Sequence, residues 1–174
     1  YKEIREAILN QESMPSMRLI QFAGLPARKT NVCAYNCSFI APSSFQDFGE
    51  IVYISMCGTG VGYTVESKNI QALPQIKLQS GKKLPVYVVP DSKEGWADAL
   101  VFGMKTWFEG NDVEFDYSQL RPAGARLKIM GGKSSGPQPL IDLITFTRER
   151  ILRRQGRHLR NIDTHDIICK IGEC

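Results

Sequence analysis

Long apolar runs are missing from this chain. None approaches the roughly 18 residues that a membrane-spanning helix needs, so no membrane association is expected. A secretory leader is missing too, because the first residues, Tyr1-Lys-Glu-Ile-Arg-Glu, are charged and helix-like. Cysteine is not dense: there are five (Cys33, Cys37, Cys57, Cys169 and Cys174), an odd number in a chain of 174 residues. A secreted disulfide scaffold is therefore not expected, and a cytoplasmic setting fits best. Charge of one sign is not in large excess, at a net +4. Neither internal repeats nor low-complexity tracts occur. What remains, 43% hydrophobic and 23% charged, is the composition of an ordinary globular protein. The length allows one compact domain, or one domain with an insertion.

Several catalytic and binding signatures are also absent. Gly131-Gly-Lys-Ser-Ser-Gly136 looks like a phosphate loop but has adjacent glycines, where a Walker A sequence separates the first glycine from Gly-Lys-Ser/Thr by four residues. It precedes a helix, so it reads as a plain turn or as an anion contact through free N–H groups. Gly58-Thr-Gly-Val-Gly62 does not follow a strand and open a helix, as a dinucleotide fingerprint does. Cys33 and Cys37, with His158, His165, Cys169 and Cys174, match no zinc spacing, so no metal site is expected. Cys33, Cys57 and Cys169 read as small buried hydrophobes. His158 and His165 read as surface or core-satisfied, and Trp96 and Trp107 as core. The arginines at 148, 150, 153, 154, 157 and 160 face either a polyanion or, more plainly, solvent on a helix face.

The periodicity predicts an amphipathic helix over 1–10, a break at Met14-Pro-Ser-Met-Arg18, and a loop or extended run from Leu19 to Gly24. It predicts an extended segment over 31–41 with Cys37 in its middle, and a buried helix from Phe45 to Cys57. A strand over Tyr63-Thr-Val-Glu66 follows the glycines. Val86–Val89 reads as a strand. A helix capped by Asp91 or Ser92 follows, with Trp96, Leu100, Met104 and Trp107 on one face, ended by Gly110-Asn111. Val113 to Tyr117 alternates as a half-buried strand, completing a β-α-β unit of insertion type. Loops at 121–126 and 131–137 lead to a helix over 139–154 with Pro139 in its first turn. Ile167, Ile168 and Ile171 mark a last helical stripe that has no stop signal after it, and the chain has no starting Met. It therefore reads as a piece of a longer protein.

Two features carry chemistry. Cys37 sits in a polar, Asn-flanked setting, a poor place for a core residue and a suitable one for a redox thiol. Gly58, Gly60 and Gly62 fall at every second position, where backbone turns tightly or lets a ligand come close. Together they suggest thiol chemistry beside a bound polar molecule.

Met14-Pro-Ser-Met-Arg18, Tyr35-Asn-Cys-Ser-Phe39, Met56-Cys-Gly-Thr-Gly-Val-Gly-Tyr63, Asp91-Ser-Lys-Glu-Gly-Trp96, Arg121-Pro-Ala-Gly-Ala-Arg-Leu-Lys128, Gly131-Gly-Lys-Ser-Ser-Gly-Pro137 and Asp166-Ile-Ile-Cys-Lys-Ile-Gly-Glu173 occur in series. In that order they resemble the α-chain of ribonucleotide reductase. The form resembled is the adenosylcobalamin-dependent class II, monomeric triphosphate-reducing type, and the stretches are N-terminal to its thiyl cysteine. The resemblance implies an α/β fold: part of a ten-stranded α/β barrel preceded by helices, with an inserted small α+β subdomain. It implies three regions. Residues 1–67 are the N-terminal helix and first barrel elements with a redox cysteine. Residues 68–124 are the class II insertion at the effector site, and 125–174 continue the barrel.

The implied activity is reduction of ribonucleotides, with triphosphates favoured, to deoxyribonucleotides. Cobalt–carbon homolysis generates a thiyl that takes the ribose 3′ hydrogen, and two further cysteines become a disulfide. Cys37 takes the role of one of that redox pair, and Ser16 falls where the family contacts substrate phosphate. Thioredoxin as reductant and a deoxynucleotide effector are implied as partners, with no direct nucleic acid. The adenosylcobalamin site is expected largely outside this stretch, which by itself should not turn over. The rival reading is a non-catalytic nucleotide- or polyanion-binding module built on the two glycine loops and the arginines.

Overall fold

The computed structural model describes residues 1–127, 129 and 131–174. Lys128, the last residue of one motif stretch above, lies outside them. In chain order the elements are α1 (Lys2–Leu9), α2 (Met17–Phe22), α3 (Leu25–Lys29), a 3-10 turn (Asn31–Ala34), β1 (Cys37–Ile40), α4 (Phe45–Met56), β2 (Gly60–Tyr63) and α5 (Ser67–Ile70). Then come β3 (Tyr87–Val88), α6 (Lys93–Phe108), β4 (Phe115–Asp116), α7 (Gln138–Leu152) and α8 (Asn161–Ile171).

Two parallel β-α-β units organise the chain. In the first, β1 and β2 pair with Cys37 opposite Gly60, Ser38 opposite Val61, Phe39 opposite Gly62 and Ile40 opposite Tyr63. In the second, β3 pairs with β4, Tyr87 opposite Phe115 and Val88 opposite Asp116. Parallel neighbours need a helical crossover, supplied here by α4 and by α6. The two crossover helices pack on each other. Gly49 makes this close approach, since a Cβ there would sit 2.6 Å from the Val101 Cγ2. Leu140, Leu143 and Ile151 of α7, with Ile167, Ile168 and Ile171 of α8, complete one core with Phe48, Ile51, Leu100, Met104 and Trp107. That core crosses both expected region boundaries, so the inserted unit and the first β-α-β unit share buried surface.

Local chemistry sets the helix ends. Ser92 caps α6 by accepting from the Gly95 N–H at 2.9 Å. The Asp47 carboxylate accepts from the Ser43 and Ser44 N–H groups at 2.7 and 2.8 Å, anchoring the start of α4. Pro139 sits in the first turn of α7.

Three expectations need correction. Leu19 to Gly24 is not extended: α2 runs through Phe22, because Ser16 caps it and accepts from the Leu19 N–H at 3.2 Å. Cys37 is the first residue of its strand rather than the middle, since Asn31–Ala34 close a 3-10 turn. The second strand is the glycine run itself, Gly60–Tyr63, and not 63–66. The ladder to β1 overrides the low strand propensity of glycine.

Two ion-pair networks, a half-buried one at Asp112 and one around the buried Asp163, give the fold an acid limit. Asp112 accepts from the Trp107 Nε1 at 3.2 Å and from the Arg148 Nε and Nη2 at 3.0 and 2.6 Å. The Arg148 guanidinium holds its carboxyl below the usual carboxylate range, against the opposing effect of burial. Asp163 is held down in the same way, first by Arg160. A depressed carboxyl stabilises fully above its unfolded value of about 3.9 and loses that contribution as pH falls through the folded value. The melting temperature is therefore expected to hold steady from these groups above about pH 5 and to fall below about pH 4. Asp112→Asn should flatten part of that acid fall in a melting series from pH 7 to 2.

Candidate active site

The pleat of β1 and β2 sorts their side chains onto two faces. Ile40, Val61 and Tyr63 turn towards the helices and pack against the core. Cys37, Phe39, Gly60 and Gly62 occupy the opposite face, and all four are exposed. This face has no covering layer among the described residues. A Cβ at Gly60 would meet nothing nearer than the Asn36 carbonyl at 3.6 Å, and one at Gly62 would meet the Ser38 carbonyl at 3.4 Å. Neither glycine has a left-handed φ. Packing and conformation therefore leave both glycines unexplained, and a strand glycine of that kind marks close approach by a ligand or another backbone. The two form a smooth lane beside the Cys37 thiol.

The start of this sheet is braced from behind. Phe22, Cys33 and Cys57 form a small second core with Ala27, Val32 and Tyr53 at its edge. The buried Thr59 hydroxyl lies 2.9 Å from the Val32 carbonyl and 3.0 Å from the Tyr35 carbonyl, tying the 3-10 turn to the glycine turn. The Gly60 N–H donates to the Asn36 carbonyl at 3.0 Å. Arg18 donates from Nε to the Asn36 Oδ1 at 3.3 Å and from Nη2 to the Gly58 carbonyl. Gly58 has φ +78°, a left-handed turn that favours glycine, and a Cβ there would fall 2.9 Å from the Arg18 Nη1.

The five thiols are in different states. Cys33 and Cys57 are fully buried, as expected for small hydrophobes. The first donates to the Thr30 carbonyl at 2.9 Å, and the second lies 3.3 Å from the Lys93 ammonium. Burial pushes the Cys174 thiol up to about 11, so it stays protonated. Cys169 corrects its expectation: it is exposed, not buried. Residues 164, 167, 168 and 171 make the buried stripe of α8, and Cys169 falls one turn after His165 on the neighbouring face. There the Tyr63 hydroxyl lies 2.9 Å from the His165 Nδ1 and 3.3 Å from the Cys169 Sγ. Burial and that thiol push the Tyr63 phenol up to about 12. Cys37 alone combines exposure with the uncovered sheet face.

Other sequence candidates fare unevenly. Ser16 is exposed, and its hydroxyl is engaged as the α2 cap. The 131–137 loop folds back on 124–127: Ser134 donates to the Ala125 carbonyl at 2.8 Å and Leu127 to the Gly132 carbonyl at 3.0 Å. The Ser134 and Gly136 N–H groups are thus engaged within the turn. Asp91 and Arg121 pair at 2.8 Å, joining two motif stretches that are far apart in sequence. The arginine series is largely neutralised, with Arg148 on Asp112, Arg150 on Asp166, Arg153 on Glu149, and Arg154 and Arg160 on Asp163. That weakens the case for a polyanion face. Arg18 and Thr59 fall in motif stretches of the sequence, but what they do is not legible there, because it lies in contacts 18 to 40 residues away.

Among the described residues, no helix is long and apolar enough to cross a membrane, and no group of three or more His, Cys, Asp or Glu is placed to hold a metal ion. A cavity of about 410 Å³ lies between β2, α4 and α8, lined by Ile51, Ser55, Gly60, Tyr63, Cys169 and Gly172 among others. Another, of about 770 Å³, lies beside Ser67, His158 and Arg160.

Comparison with known proteins gives the family. The chain is 32% identical over 178 residues to the adenosylcobalamin-dependent ribonucleoside-triphosphate reductase of Euglena gracilis, covering 96% of this chain and 24% of that protein. It is 28% identical over 153 residues to the enzyme of the same name from Lactobacillus leichmannii, covering 68% of this chain and 21% of that one. The chain thus spans less than a quarter of the length of these curated relatives. A crystal structure of a B12-dependent (class II) ribonucleotide reductase superposes with a TM-score of 0.83 at 24% identity, over 98% of this chain and 32% of that one, and shows the same fold. The family described as B12-dependent ribonucleotide reductase, insertion domain, matches residues 60–151. With more than half of its 174 residues under that match, the chain belongs to the B12-dependent ribonucleotide reductases and carries their insertion domain.

Proposed function

We propose that the protein reduces ribonucleotides, with ribonucleoside triphosphates as substrates, to deoxyribonucleotides, and that Cys37 is one of the two thiols that supply the electrons. The observation that carries this reading is the position of Cys37, exposed at the start of β1 beside the glycine lane on the uncovered sheet face. Reduction breaks a ribose carbon–oxygen bond, and the oxygen leaves as water. The two electrons come from a pair of thiols that close to a disulfide, so the sulfur must stand next to the sugar and within reach of a partner sulfur. A strand start braced by the Phe22 core and the Thr59 hydroxyl holds a thiol more rigidly than a free loop does. Thioredoxin is the reductant of that disulfide in this reading.

A deoxynucleotide effector acts at the inserted unit, and Ser16 meets substrate phosphate through its backbone or after its cap opens. The division at 67/68 and 124/125 belongs to the same reading, as does a cytoplasmic location, which suits five unpaired cysteines.

The finer architecture in this reading builds on the edge of β2 that no strand occupies among the described residues. Its other edge is taken by β1, and Gly172 at the end of α8 lines the same cavity as Gly60 at the start of β2. A chain leaving α8 there is placed to add a further parallel strand, the way a barrel of this kind grows. Adenosylcobalamin is the cofactor of the relatives, and in this reading its site lies largely outside these residues. Cys37 in this reading serves the reducing half of the reaction.

The test is Gly60→Val in the full-length enzyme. The strand has room for the new side chain and valine suits it, so the melting temperature should hold or rise. Ribonucleotide affinity should fall by roughly tenfold or more, the scale of one lost good contact. Unchanged affinity with an intact fold removes this face as the sugar site.

A further inference from the structure

We propose that Arg18 is a positioning residue for the Cys37 thiol, an inference that rests on the redox role given to Cys37 above. The guanidinium bridges two turns. Its Nε donates to the side chain of Asn36, the residue before Cys37, at 3.3 Å, and its Nη2 donates to the carbonyl of Gly58. Gly58 lies two residues before Gly60, the register partner of Cys37. One planar group therefore sets the spacing of the two segments that launch β1 and β2, at the end of the ladder where the thiol sits.

That end needs support. Cys37 is the first residue of a four-residue strand, and strand and helix ends fray where nothing outside the ladder holds them. The sulfur direction is then set by the backbone of Asn36 and by whatever fixes it. The Gly60 N–H to the Asn36 carbonyl is one such tie, and Arg18 is the other that reaches the same residue.

Arg18 is itself held. Its guanidinium lies over the Phe22 ring, 5.5 Å from the centroid, and Phe22 is anchored in the small core with Cys33 and Cys57. No carboxylate pairs with it among the described residues, so it is not an ion-pair strut; its partners are one amide oxygen and one carbonyl. Lysine cannot reproduce this, because an ammonium is a point donor and cannot span two acceptors in one plane.

The experiment uses the full-length enzyme with ribonucleoside triphosphate and the thioredoxin system, in Arg18→Ala, Arg18→Lys, Asn36→Ala and the Arg18→Ala/Asn36→Ala double variant. The expected result is a kcat lowered roughly tenfold or more in Arg18→Ala with KM unchanged, the effect of a misplaced reacting group. Arg18→Lys should not restore it. The double variant should be no worse than the poorer single one, since both remove one contact. An unchanged kcat overturns the proposal, and so does a raised KM at constant kcat, which would make Arg18 a substrate contact. Full rescue by lysine or strictly multiplicative losses in the double variant also overturn it. Asn36→Ala, a change at an exposed side chain, keeps the test open if Arg18→Ala does not fold. Cys37→Ser run alongside separates the two claims. If it turns over normally, the redox reading fails. If it is inactive while Arg18→Ala is normal, only the positioning role fails.

Discussion

Cys37→Ser in the full-length enzyme is expected to abolish thioredoxin-supported multiple turnover while the fold survives. The side chain is exposed and its sulfur makes no hydrogen bond among the described residues, so exchanging a thiol for a hydroxyl leaves no cavity and no orphaned partner. Oxygen cannot close a disulfide with the partner thiol, so the second electron has no sulfur–sulfur bond to leave behind. The loss should therefore exceed two orders of magnitude in steady state, the scale seen when a reacting group itself is removed. Cys169→Ser is the matched control. That thiol is equally exposed but stands on the helix side with Tyr63 and His165, and its replacement should leave turnover close to normal. Multiple turnover by Cys37→Ser at the normal rate would remove Cys37 from the chemistry and leave this face as a binding surface only.

The elements legible in the sequence were those whose signal is local. The helix from Lys93 to Phe108 announced itself through the Ser92 cap, the four-three spacing of Trp96, Leu100, Met104 and Trp107, and Gly110 behind it. The strands flanking it were visible as β-branched and alternating runs. The misjudged elements were set by distant partners. Gly60–Tyr63 is a strand because Cys37–Ile40 lies beside it, and no glycine propensity predicts that. Met17–Phe22 is helical because Ser16 caps it and Phe22 finds the pocket of Cys33 and Cys57. Cys37 stands out in the sequence by its polar neighbours. Its surroundings do not: the bare face, the opposed glycines and the Arg18 bridge depend on a register that only the folded sheet defines. Cys169 shows the limit of counting apolar positions. One residue past Ile168, the helix has turned by about 100° and the side chain leaves the core.

The largest structural effect is expected from Trp107→Ala, which should destabilise the inserted unit by about 3–5 kcal/mol. Trp107 is fully buried, and α6 is shaped around it. A Cβ at Gly103 would fall 2.7 Å from the Trp107 Cη2, so the helix leaves a notch for the indole that no neighbour can fill. The ring also packs edge-on against Phe115 at 6.3 Å between centroids, holding β4 to the helix. Truncation therefore opens a cavity between α6 and β4. It also strips one donor from Asp112, which remains bonded to Arg148 and to the Val113 N–H. Because those donors persist, the carboxylate is not orphaned, and the cavity carries most of the cost. Trp107→Phe separates the two contributions: it loses the Nε1 bond but keeps the larger part of the buried volume, so its cost should be about 1–2 kcal/mol. Native-state hydrogen exchange reads both. Amide protection along α6 should fall by roughly two to three orders of magnitude in the alanine variant and by about tenfold in the phenylalanine one. Equal losses in the two variants would mean that the Asp112 hydrogen bond, rather than the packing of the indole against Gly103 and Phe115, holds this part of the protein together.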